Sequence, residues 1–116
     1  MNEAEVRSEV WHSLVSMLRV YAHAASLSGK PYAVTSTDNT ALIRYEECSL
    51  TISFSPEAGW ATWGLIGPGR DEHGHFQIDE HGAVHFPDGP KELDTAAIDW
   101  MYLLSQPQHA TQSSQL

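Results

Sequence analysis

Leu50-Thr51-Ile52-Ser53-Phe54-Ser55-Pro56-Glu57-Ala58-Gly59-Trp60-Ala61-Thr62-Trp63-Gly64-Leu65 is the stretch from which the fold can be worked out. Before the turn, Leu50, Ile52 and Phe54 alternate with Thr51 and Ser53, the period-two pattern of a strand with one buried face. Pro56 presets φ for a type I turn, and Gly59 accepts the left-handed position that closes a four-residue loop. If Ser55 pairs with Trp60, then Phe54 falls opposite Ala61, Ile52 opposite Trp63 and Leu50 opposite Leu65. Both apolar sets then share one face, and a slip by one residue would expose one of them. This register makes Trp63 a core residue and turns Trp60 outward.

Outward from this hairpin the period stays at two. Tyr32 to Thr37 and Ala41 to Glu46 read as strands joined by a turn at Asp38-Asn39. Downstream, Gly67-Pro68-Gly69-Arg70 reads as a loop; it lacks the Lys-Ser/Thr of a phosphate-binding loop. Two similar segments follow, Asp71-Glu72-His73-Gly74 and Asp79-Glu80-His81-Gly82, each read as a type I turn ending in a glycine bulge. Pairing Asp79 with Ala83 sets Ile78 against Val84 and Phe76 against Phe86, and leaves His75, Gln77 and His85 on the outer face.

The two ends of the chain are helical. Val6, Val10, Leu14, Met17, Tyr21 and Ala24 recur at spacings of three and four, with His12, Ser16, Arg19, His23 and Ser26 opposite. Trp11, Val15 and Leu18 widen this stripe beyond the needs of one sheet face, which points to a deep helix or to a second subunit. Gly29 and Pro31 end it. A second helix is expected from Asp94 as N-cap, with Leu93 and Ile98 as a hydrophobic staple and Ala97, Ile98, Met101 and Leu104 facing the core. Trp100 is also expected in the core. The expected fold is therefore α+β: an N-terminal helix, an antiparallel meander of five or six strands and a C-terminal helix, with both helices on one face. Residues 1–105 read as one domain and residues 106–116 as a polar, disordered tail.

Composition narrows the function. The 116 residues carry 15 acidic and 6 basic side chains, a formal net charge of -9. Such a chain is repelled by nucleic-acid phosphates and by anionic membranes. It is suited instead to a basic protein partner. Seven histidines make pH-dependent association a further possibility below a pKa of about 6.5. Cys48 is the only cysteine, so no internal disulfide forms. No apolar run approaches the roughly 18 residues of a membrane span, and the first residues lack the features of a signal peptide. The cytoplasm is the default expectation.

Few residues offer chemistry. Cys48 stands beside Glu46 and Glu47, whose charge disfavours a thiolate. No serine sits in a nucleophile-elbow motif, and the paired acids lie in solvated turns. The histidine-rich segment has ligand types suited to zinc or another divalent ion. If the two Asp-Glu-His-Gly turns flank the strand His75 to Ile78, they lie more than about 10 Å apart. The available metal pair is then His75 with His85, diagonal neighbours within roughly 7–8 Å, with His73 or Asp71 as a third ligand; solvated strand and turn residues are the alternative. The leading expectation is a non-catalytic protein-binding role, in the manner of an inhibitor or chaperone. Trp60, His75, Gln77 and His85 on the outer sheet face would form the contact, with Asp79 and Glu80 at its acidic rim. A small metal- or ligand-binding protein or enzyme built on the same hairpin is the runner-up. No cofactor other than zinc is implied, and a homodimer fits the wide first helix.

Overall fold

The computed structural model describes residues 3–106. Helix α1 (Glu3–Leu27) is followed by seven strands: β1 (Tyr32–Ser36), β2 (Thr40–Tyr45), β3 (Cys48–Phe54), β4 (Trp60–Gly67), β5 (Arg70–Ile78), β6 (Val84–Phe86) and β7 (Gly89–Lys91). Helix α2 (Leu93–Ser105) closes the described chain. The strands pair in sequence order, each antiparallel to the next, in one seven-stranded sheet.

The central hairpin has the register expected from its alternation. Phe54 pairs with Ala61, Ile52 with Trp63 and Leu50 with Leu65, and Ser55 donates its N–H to the Trp60 carbonyl at 2.9 Å. Gly59 takes φ +80°, and a Cβ there would stand 2.7 Å from the Ile78 carbonyl oxygen. Only glycine meets both demands. Alternate residues of β2 to β6 are buried on one face, and the inner sides of both helices join the same cluster. Both helices therefore lie on one face of the sheet. Each large side chain moved from water into this cluster is worth about 1.5–3 kcal/mol.

The inner face of α1 is centred on Trp11, Leu14, Val15, Leu18 and Ala22, with Val10, Met17 and Tyr21 as half-buried flanks. Ala24, expected inside, is exposed. Trp11, read as widening the stripe, stands at its centre, 1% exposed. Its ring stacks on Phe54 at 5.3 Å, and its Nε1 donates to the Asp38 carbonyl at 3.0 Å. The width that suggested a second subunit thus has its explanation inside the chain, because the helix crosses a broad sheet. Arg7 holds the start of α1 to the central turn, donating to the carbonyls of Ile78, Pro56 and Glu57 at 3.2, 3.5 and 3.3 Å.

Three expectations are corrected. First, Asp71-Glu72-His73-Gly74 is not a turn. It lies within β5, in unbroken register with β4 from Trp60↔Gln77 to Gly67↔Arg70, and the reversal falls at Pro68-Gly69, with Gly69 at φ +71°. Gly74 is needed for packing rather than for a turn: a Cβ on it would lie 2.7 Å from Trp63 Nε1 and 2.8 Å from two ring carbons. Asp79-Glu80-His81-Gly82, by contrast, is the expected turn, with Gly82 at φ +87° and Asp79 donating its N–H to the Ala83 carbonyl at 2.9 Å. Second, α2 begins at Leu93 after Glu92, which makes no side-chain cap, instead of after Asp94. Leu93 packs against the core and is drawn into the first turn, while Ile98 is 51% exposed, so no staple forms. Ala96, Ala97, Trp100, Met101 and Leu104 supply the inner face. Third, the strand count is seven, because Gly89-Pro90-Lys91 forms a short edge strand. The expectation of a polar tail over residues 106–116 lies, beyond Gln106, outside the described residues.

The contrast between two tryptophans checks this architecture. Trp11→Ala is expected to cost about 3–5 kcal/mol in a urea titration. Trp60→Ala, at an exposed position, is expected to cost less than about 1 kcal/mol.

Candidate functional site

The face of the sheet opposite the helices has no second layer among the described residues. Its central part carries small polar side chains, including Ser49, Thr51, Ser53 and Thr62, set by the alternation that sends Leu50, Ile52 and Phe54 inward. Larger groups gather toward β5. Trp60 pairs with Gln77 and Gln77 pairs with His85, so these three form one row across β4, β5 and β6. Trp60 is 48% exposed, and its ring centroid lies 5.5 Å from that of His75. The residues expected on the outer face are therefore neighbours. His73 joins them, because its segment is strand rather than turn. Asp71 lies on the same face at the start of β5.

The metal ligands named from the sequence do not converge. His75 is turned to Trp60, whereas His85 Nε2 lies 2.9 Å from Asp79 Oδ2. Among the described residues no three His, Cys, Asp or Glu side chains are grouped as a metal ion would need. Asp79 works within its own turn: its Oδ1 accepts the N–H groups of His81 and Ala83, both at 2.9 Å. The His85 hydrogen bond, followed by that of Ala83, holds the Asp79 carboxyl down to about 2. Glu80 is an exposed rim acid, 3.7 Å from His81.

Among the described residues no Ser, Thr or Cys hydrogen-bonds a histidine. Cys48 is half-buried and packs against Gly67, where a Cβ would stand 2.5 Å from its Sγ. Arg70, read as part of a plain loop, ties the sheet to α2: it donates to the Leu103 carbonyl at 2.7 Å and pairs with Glu72 at 2.8 Å.

One feature escaped the sequence reading. A cleft of about 480 Å³ opens between α2, the β6–β7 turn and the β5 segment His73–His75. Trp63, Phe86, Trp100 and Tyr102 supply its apolar lining, with Asp88, Lys91 and Asp99 at the polar side. Lys91 Nζ sits 4.7 Å above the Phe86 ring and 3.1 Å from Asp99 Oδ2. Trp63 and Trp100 were expected in the core; Trp100 is buried and Trp63 half-buried, and both also border this opening. The cleft exists because β5 has 9 residues and β6 only 3, so the sheet steps inward beneath α2. The sequence signals for it are Gly74 opposite Trp63 and the early break at Pro87-Asp88.

Two outcomes test this geometry. Gly74→Ala drives a methyl into the Trp63 ring, and is expected to cost about 1–3 kcal/mol with a shift in tryptophan emission. Asp79 has a lower pKa folded than unfolded, where it is about 3.9, so its contribution is present above that value and lost as pH falls toward about 2. Asp79→Asn is expected to lower the thermal midpoint at neutral pH, and the gap to the parent should close between about pH 4 and pH 2.

The chain matches no protein-family model, no curated protein and no solved structure, so its own residues carry the functional reading.

Proposed function

We propose that this protein is a non-catalytic protein-binding module that presents its open sheet face to a positively charged partner. The observation that carries this reading is Trp60, half exposed on a face with no covering layer among the described residues and set against His75. Tryptophan is enriched at the centre of contact surfaces, because a large rigid ring gains much from desolvation and loses little entropy. The surrounding Gln77, His75 and His85 supply hydrogen-bonding groups, and Glu80 and Asp71 supply charge at the rim.

The net charge of -9 supports the choice of partner. Opposite charge speeds encounter and suppresses acidic competitors more than it deepens affinity. The runner-up reading through zinc has less support, since His75 and His85 are each engaged elsewhere. Among the described residues no helix is long and apolar enough to cross a membrane.

The test is capture of partners from a native lysate by the parent and by Trp60→Ala, at low and at moderate salt. A basic protein held by the parent, released by added salt and lost with Trp60→Ala is the expected result. Equal capture by the two proteins would remove the outer face as the contact.

A further inference from the structure

A sheet of this kind has two terminal edges, and both are blunted. On β1 the outward-facing residues are Tyr32, Val34 and Ser36, because Thr37 N–H already faces β2 through the Thr40 carbonyl. Arg19 of α1 covers this edge, donating to the Val34 carbonyl at 3.3 Å and to the Ser36 hydroxyl. On β7, Gly89 and Lys91 face β6, and the single outward residue is Pro90, which has no N–H to offer. Capping and proline are the usual means of keeping an edge from pairing.

A third edge is left open. β6 pairs only with Gln77 and Ile78 of β5, so among the described residues β5 has β4 on one side and no strand on the other from Asp71 to His75. Ile78 N–H points to β4, to the Gly59 carbonyl, and Asp79 N–H points to the β6 side, to the Ala83 carbonyl. By alternation, the N–H and C=O groups of Asp71, His73 and His75 all point into the open step. The aromatic cleft beneath α2 lies directly along it, lined by the same His73–His75 segment. Asp71 and Asp88 flank the step, and neither pairs with a cation among the described residues.

We propose that the β5 step is a strand-addition site that takes an extended segment of a basic protein partner, antiparallel to β5 and in line with β6. Main-chain hydrogen bonds to Asp71, His73 and His75 set its position. Residues on the inner side of the added strand enter the cleft between Trp63, Phe86 and Trp100, and so are aliphatic or aromatic. Residues on the outer side lie beside Asp71, His73 and His75, and so include lysine or arginine. Backbone pairing of this kind supplies affinity, and alternate side chains supply specificity. The site goes beyond the outer-face reading and does not require Trp60.

The test uses the full chain and a blocked peptide, acetyl-Lys-Val-Lys-Phe-Lys-Val-Lys-amide, followed by amide exchange and chemical shifts. Before addition, the His73 and His75 amides should exchange fast while Gly74 and Phe76 are protected. Addition should protect His73 and His75. In the antiparallel pairing the lysine amides face β5, so N-methylating the central two should weaken binding by about tenfold or more, while N-methylating the valine and phenylalanine amides should change it by less than about threefold. Insensitivity to which amides are methylated would overturn the proposal, as would the absence of peptide binding. Protection of His73 and His75 without peptide would also overturn it: independent of concentration it would mean that residues 107–116 cover the step, and rising with concentration that a second copy does. Trp60→Ala should keep the peptide affinity within about threefold; its loss would move the contact to the outer face.

Discussion

Among the described residues a single sheet is packed on one side only, and the other features follow from that constraint. Every strand from β2 to β6 sends its buried apolar side chains to the same side, and one residue of slip would turn that whole set into water. Phe54 and Trp11 are the point where this constraint is tightest. The indole stacks on Phe54, donates to the Asp38 carbonyl and so sets α1 across the sheet at the end that carries the β1–β2 turn. Arg7 and Tyr32 add polar ties at the two ends of the helical layer, from α1 to Ile78 and from β1 to the Met101 carbonyl.

One-sided packing also creates the two surfaces of interest. Because both helices lie on the inner face, the outer face carries Ser and Thr side chains, Ile66, the Asp71, His73 and His75 side chains of β5 and the Trp60–Gln77–His85 row. Because β6 is short and α2 returns over it, the inner layer does not close at β5, and Trp63 and Phe86 border a cleft in place of a sealed core. The two surfaces meet at His75, whose ring faces Trp60 and whose main chain faces the step. Binding at either would lie within a strongly acidic field, which favours the same class of partner.

The outer row was legible in the sequence because strand alternation and turn chemistry alone place Trp60, His75, Gln77 and His85. The failure at Asp71-Glu72-His73-Gly74 has a clear cause. The same four residue types form a real turn at Asp79–Gly82, where Gly82 has positive φ and Asp79 accepts two backbone N–H groups. At the first copy Gly74 sits opposite Trp63, and the indole takes the room of the missing side chain. A glycine that relieves a cross-strand ring and a glycine that turns the chain look alike until the partner strand is known. The helix start at Leu93 and the exposure of Ile98 were decided likewise by which side chains the sheet could receive.

Local pattern determined the class of fold, the extent of α1, the central hairpin register and the outward position of Trp60, since each depends on residues near in sequence and on the period of burial. Net charge determined which partners are electrostatically disfavoured. Tertiary structure decided the strand count, the centring of α1 on Trp11, the different partners of His75 and His85 and the open step on β5. These depend on where strands of unequal length end against each other and on how a helix crosses them. Such contacts join residues far apart in the chain, so no local period carries them.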